Sequence, residues 1–323
     1  MRSIPKSVPP LAGIVAVTLA VLSPRRATAD ANEAGAADRA ARCANRLSIA
    51  MIGQTASPDL LASPAPQSAT DEFLEDPRFI ERFSRFINSQ FNMTPGATPV
   101  EDATYYLAKY VLENDKPWTD MFLGRYDVVP SNPQQAASEA VVREAPNGLG
   151  YFRSRAWMVR YAGNEPEGMR IVAAYRIMWN TIGLTLTATT NAPDADVSAA
   201  GRQAAQCRGC HLESWFALDK VASVLGKRRG TDANNIQFDP PTGGPQPILG
   251  GVMVSNDKEL VEALVGNEAF AVNACRLAYK YLYGRTEYSC EGPAFDRCVA
   301  AFKKDKRIQS AIAAVAKDPT FCE

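Results

Sequence analysis

The chain has a single histidine, His211, in 323 residues, and only one C-x-x-C pair, Cys207 and Cys210. A structural zinc site takes four Cys or His ligands, usually as two pairs, so a closed zinc site would lack its second half. There is no apolar run long enough to cross a bilayer. The longest, Leu11 to Leu22, covers 12 residues, where about 20 are needed. Basic residues are not in surplus: removing residues 1–29 takes away Arg2, Lys6, Arg25 and Arg26 and no acid, so 35 basic against 35 acidic residues becomes 31 against 35. Nucleic-acid binding, which draws on clustered Lys and Arg, is excluded as an expectation. No internal repeat is present.

Residues 1–29 combine Arg2 and Lys6, the apolar run, and Ala27-Thr28-Ala29 before Asp30. That is the layout of a secretory leader. Arg25-Arg26 follows the apolar run, whereas a twin-arginine signal precedes it. The first cysteine after the leader, Cys43, stands too far on to carry a lipid. The expectation is a periplasmic or secreted protein with no stable membrane insertion once the leader is gone.

The remaining pattern predicts a mainly α protein, an irregular helical bundle with long Pro/Gly-rich loops. Residues 30–147 read as an N-terminal helical region and 148–323 as a second helical domain. A first helix is expected around 36–52, then a Pro/Ala/Ser connector over 54–70. Asp76-Pro77 reads as an N-cap and first helical residue. Phe79, Ile80, Phe83, Phe86, Ile87 and Phe91 then follow at helical spacing. A cap at Thr98 and a start at Pro117 predict two further helices, and GRYDVV a short strand. Residues 130–149 read as a long surface loop, PEGMRIVAAYRIMWNTIGL as a buried helix, and residues 230–251 as irregular. Leu260, Val261, Leu264, then Phe270, Ala274, Leu277, Tyr281, and finally Ile308, Ile312, Val315 return to helical spacing.

The chemistry concentrates in QCRGCHLES, residues 206–214. On a helix, positions i, i+3 and i+4 share a face, so Cys207, Cys210 and His211 can address one flat object. Haem c needs that arrangement: two thiols form thioethers with the porphyrin, and the adjacent imidazole binds iron from the same side. A thioredoxin-like dithiol should follow a strand, but APDADVSAAGRQAAQ reads as a loop entering a helix. A plain disulfide leaves the histidine without a role. One covalently attached haem c is therefore expected, with His211 as proximal ligand. No second histidine can complete the coordination; Met253, the only methionine after the motif, is the candidate distal ligand, and an open position is the alternative. Met158, Met169 and Met178 read as core. Trp215 and Phe216 read as packing on the core or on the porphyrin. Lys227, Arg228 and Arg229 form a basic turn, available to propionates or to an acidic partner.

Five cysteines remain, an odd number, so at least one is left over. Cys290–Cys298 is the first expected bridge by proximity, Cys275–Cys322 the second, and Cys43 the spare.

On these residues the chain resembles the exported haem-c proteins expanded in planctomycetes and myxobacteria, built from linked modules. FLEDPRFIERFSRFINSQF and YYLAKYVLENDKPWTDMFLGRYDVV are similar to their first module. GLGYFRSRAWMVRYAG through CRGCHLESWFALDKVASVLGKR is similar to the haem module, and ACRLAYKYLYGR with AIAAVAKDPTF to the C-terminal helical one. The resemblance implies haem attachment at Cys207, Cys210 and His211, and matches Phe216-Ala217-Leu218-Asp219 to a Phe-Ala-Leu-acid stretch. Only Leu212 to Trp215 separate His211 from Phe216, so the Asp-Pro-containing segment of the relatives is missing here. The resemblance brings no settled reaction with it.

Two functions follow as expectations: an electron carrier serving a redox partner protein, or a haem enzyme, peroxidase- or oxygenase-like, with an open or labile sixth iron position. With no distal histidine, peroxide cleavage would need a carboxylate or an arginine.

Overall fold

The computed structural model describes residues 24–92, 94, 96–135, 137–161, 170–187, 195–229, 237–241 and 243–323. The expected leader therefore lies almost wholly outside the described residues, as does Met169. The described chain forms fourteen α-helices and three two-stranded antiparallel sheets, the mainly α class that the apolar spacing predicts. No described helix is long and apolar enough to cross a membrane.

In order, the helices before the first sheet are α1 (Pro24–Ile52), α2 (Pro58–Leu61), α3 (Thr70–Glu75), α4 (Pro77–Phe91), α5 (Ala103–Glu113) and α6 (Asp120–Leu123). β1 (Tyr126–Pro130) then pairs with β2 (Ala140–Glu144). After them come α7 (Arg155–Tyr161), α8 (Ile171–Ile182), α9 (Ala205–Arg208) and α10 (Leu218–Ser223). Two small hairpins follow, β3 (Lys227–Arg229) with β4 (Gln237–Asp239), and β5 (Gln246–Ile248) with β6 (Val252–Val254). The chain closes with α11 (Asp257–Gly266), α12 (Glu268–Tyr283), α13 (Gly292–Asp305) and α14 (Ile308–Ala316).

The phenylalanine stripe of α4 behaves as its spacing requires. Asp76 caps the helix by accepting from the Arg78 N–H at 2.8 Å, and Phe79, Phe83, Ile87 and Phe91 are buried. The core they enter is aromatic and continuous. Phe83 meets Tyr281 edge to face at 5.1 Å, Phe122 stacks on Phe152 at 5.5 Å, and Phe122 and Phe302 both lie 5.7 Å from Phe270. Rings from α4, α6, α12 and α13 thus share one interior, where such edge and offset contacts add to area burial.

The structure differs from the sequence expectation in three stretches, the first being the expected connector over 54–70, which contains α2, a 3-10 turn at Pro66–Ala69 and the start of α3. Residues 130–149 contain β2, whose short AVVRE run becomes a strand by pairing with β1. Residues 230–251 contain the hairpin strands β4 and β5 as well as residues outside the description. Strands this short are fixed by their partner and by the core beneath, which local spacing does not report.

Both expected disulfide pairings are overturned. The bridges are Cys275–Cys298 and Cys43–Cys322, with Cα separations of 5.9 and 4.9 Å. Cys275 and Cys298 are fully buried, on α12 and α13, which pack together. Cys290 lies in the exposed turn before α13 and is the unpaired one of the five cysteines outside the C-x-x-C pair. Cys43, expected to be spare, joins α1 to the turn that contains Cys322. Proximity in sequence misled here because tertiary packing, of α12 on α13 and of α1 on the C-terminal turn, decides which thiols meet.

The terminal bridge is reinforced by Asp318, whose buried carboxylate accepts from Arg297 Nε at 3.1 Å and from Thr320 Oγ1 at 2.7 Å. Burial raises the Asp318 pKa, but these donors outweigh it and hold the group below its ordinary 3.8. Its stabilisation is complete above that value and is lost as pH falls through the lowered one. Replacing Asp318 by Asn should therefore lower stability at neutral pH and flatten its fall on the acid side of the ordinary carboxylate range, as read by urea unfolding across pH. The double change Cys43→Ser and Cys322→Ser should cost about 2–5 kcal/mol by the same measurement.

Candidate functional site

The motif sits where three short segments meet. A loop leads through a 3-10 turn, Gly201–Gln203, into α9, and α9 passes directly into a π-turn, Gly209–Glu213. Cys207 lies in α9; Cys210 and His211 lie in the π-turn, which closes through Ser214 N–H to Gly209 O at 2.9 Å. The sequence expectation of one regular helical face is thus modified: an α-turn carries the first thiol and a wider turn carries the second thiol and the imidazole. Wide turns of this kind recur at functional sites.

Both thiols stand outside the disulfides, Cys210 exposed and Cys207 half-buried. Between them, a Cβ placed on Gly209 would meet nothing within 4 Å, so this side of the turn is open. Among the described residues no group of three or more His, Cys, Asp or Glu is placed to hold a bare metal ion.

His211 is held by Asp219. Its Nδ1 lies 2.7 Å from Asp219 Oδ2, and because a carboxylate only accepts, Nδ1 carries a proton, which in the neutral ring leaves the lone pair on Nε2. The other carboxylate oxygen, Oδ1, accepts from Arg202 Nε at 3.0 Å, and Arg202 Nη1 donates to Val197 O at 2.6 Å. The Arg202 and Asp219 side chains are about one-tenth exposed. One carboxylate therefore spans the imidazole and a guanidinium, with each oxygen assigned.

The surrounding elements explain why this geometry is held. Asp219 opens α10, whose Leu218, Val221 and Ala222 are buried, and α10 packs on α8. Buried Arg170 donates to the carbonyls of Ala222 and Leu225 at 3.0 and 2.7 Å, tying down the C-terminal end of α10 and the residues that follow it. On the other side, Arg202 depends on the tight turn before it. A Cβ on Gly201 would fall 2.0 Å from the Asp196 carbonyl oxygen, so only glycine allows this approach.

Several large apolar side chains on the motif's neighbouring segments are uncovered. Val197, Trp215, Val252 and Met253 are all exposed. Trp215 is tied to the β5–β6 hairpin by Leu249 N–H to Trp215 O at 2.9 Å. Phe216 is half-buried against the core. Met253 pairs across the hairpin with Pro247 and is 58% exposed, whereas Ile248 and Val254 turn into the core. The structure brings Met253's hairpin to the flank of the motif and leaves its side chain in solvent. Met178 is buried and Met158 half-buried. The basic turn expected at Lys227–Arg229 is strand β3, with Arg228 donating to Val159 O at 3.3 Å and Arg229 paired to Asp239 at 3.4 Å.

These residues fit haem c. Two unbridged thiols stand on either side of the open position at Gly209, the imidazole has its Nδ1 occupied and its Nε2 without a hydrogen bond to a described residue, and large apolar side chains on adjoining segments are exposed. Sequence reasoning missed the roles of Asp219 and Arg202. The available signal was an acid set among buried apolar positions in FALDKVASVL, where a charge calls for a partner.

Comparison with family models, with curated proteins and with solved structures found no match to the chain. What the site can do rests on its own chemistry.

Removing one member of a buried pair leaves the other charge uncompensated, at a cost of about 3–5 kcal/mol. Arg202→Met should lower unfolding stability by that order in urea titrations. Arg229→Met, at a pair that is largely exposed, should change it by less than about 1 kcal/mol.

Proposed function

We propose that this protein is an exported monohaem c-type cytochrome-like electron carrier, with Cys207 and Cys210 as attachment sites and His211 as the iron ligand. One observation carries the reading: of the three thiols that stay out of both disulfides, two directly precede the chain's only imidazole, and the Nδ1 of that imidazole is held by a carboxylate. Metal-bound histidines characteristically donate their second N–H in this way. Haem c, when bound, supplies one-electron redox chemistry at its iron. The resemblance to exported haem-c proteins supports the same reading, as does the leader, since attachment takes place outside the cytoplasmic membrane.

The roles of the residues follow. Cys207 and Cys210 would hold the haem as thioethers, each S–H adding across a vinyl group with sulfur on one carbon and hydrogen on the other, so that no oxidant would be consumed. Asp219 fixes the tautomer and plane of His211. Val197, Trp215, Val252 and Met253 would cover the macrocycle's edge and shed water. A redox partner protein is required to deliver or accept the electron.

The solvent exposure of Met253 favours a second reading, a haem enzyme with an open sixth position. The two readings separate optically. An electron carrier with both axial positions filled gives a low-spin spectrum unchanged by carbon monoxide in the reduced state; an open site binds carbon monoxide. Met253→Ala should leave the spectrum unchanged if that sulfur is not a ligand, and convert it to high spin if it is.

The attachment itself has a direct test. Three cysteines are unpaired in the polypeptide, so the unfolded, unreduced chain without haem should take three thiol labels. Protein matured with a haem-attachment system should gain one covalent tetrapyrrole in its mass and take a single label, at Cys290. Three labels and no added mass after maturation, where a known cytochrome is loaded, would overturn the proposal.

A further inference from the structure

The Asp219–Arg202 pair lies behind the imidazole rather than in the path of an electron or a ligand, and simple coordination of iron does not require it. A backbone carbonyl would suffice to orient a histidine. Here the acceptor is a full carboxylate, nearly buried, at 2.7 Å from Nδ1. Its second oxygen is fixed by Arg202 at 3.0 Å, and Arg202 is itself tied to the Val197 carbonyl. The carboxylate is therefore neither free to rotate away nor open to water on both oxygens. A charged acceptor in a low-dielectric setting draws the N–H bond towards itself more strongly than a neutral one, and this raises the basicity of the opposite nitrogen.

We infer that Asp219, clamped by Arg202, is a positioning residue that makes His211 an unusually strong electron donor through Nε2 and thereby biases the site towards its oxidised state. The inference rests on the haem reading and deepens it: the protein is a low-potential member of its class, suited to passing electrons onward rather than accepting them from weak donors. Arg202 has a second effect of opposite sign. Its cation neutralises part of the carboxylate's field, so the pair acts as a graded control, with Asp219 lowering the potential and Arg202 limiting how far.

The test uses haem-loaded protein. Potentiometric titration followed optically should show Asp219→Asn shifting the oxidised-to-reduced ratio at a fixed potential at least tenfold towards reduced, about 59 mV for a one-electron couple. Asparagine keeps the shape and can still accept the Nδ1 proton, so a merely orienting role would leave the potential in place. Asp219→Glu should recover part of the shift. The iron–histidine stretching frequency in reduced Asp219→Asn, read by resonance Raman in whatever fraction is five-coordinate or photodissociated, should fall below that of the wild type. If Asp219→Asn does not accumulate, Arg202→Lys, which keeps the charge and loosens the clamp, must move the midpoint measurably. Unchanged potentials in the loaded variants overturn this inference alone. Failure of the wild-type chain to acquire haem overturns the functional proposal and this inference together.

Discussion

A single carboxylate organises the functional end of this molecule. Asp219 has two oxygens and each is assigned, one to the imidazole of His211 and one to the guanidinium of Arg202. Three separate pieces of chain are thereby pinned to one point: the turn at Gly201–Gln203, the wide turn of the motif, and the start of α10. A buried charge tolerates no idle oxygen, and this requirement helps fix the relative placement of the three segments.

The rest of the fold supplies a rigid backing for that point. α10 is held on α8 by its apolar face and by Arg170 at its far end, and α8 in turn packs on α11 and α12. From there the aromatic rings of α12 and α13 run into those of α4 and α6. A displacement at the motif would have to move a densely packed interior, which resists small shifts. The motif's outer surface has no such backing. Its apolar side chains face solvent, so the site is stiff behind and open in front.

Much of this was legible in the sequence, and for identifiable reasons. The helical class and the burial of Phe79, Phe83 and Ile87 follow from spacing, because a helix that must bury one face writes that demand at every third and fourth residue. The residues proposed to attach haem were legible because covalent chemistry demands fixed types at fixed separations. The disulfides were not. Cys275 meets Cys298, and Cys43 meets Cys322, because of how helices pack, and helix order along the chain does not encode that. Asp219 escaped for the same reason: its partners lie 8 and 17 residues away on elements whose docking is tertiary. The short strands β2, β4 and β5 owe their existence to a neighbour and left little trace in local composition.

The bridge between Cys43 and Cys322 carries a temporal consequence. It closes a span of 279 residues, so it cannot form until residue 322 has left the ribosome. Throughout synthesis the thiol at position 43 must pass the sulfurs at 207, 210, 275, 290 and 298, each of them an earlier and nearer trap. Chemistry that occupies 207 and 210 before oxidation sets in would remove two wrong destinations, making the order of cofactor loading and oxidative closure a determinant of yield.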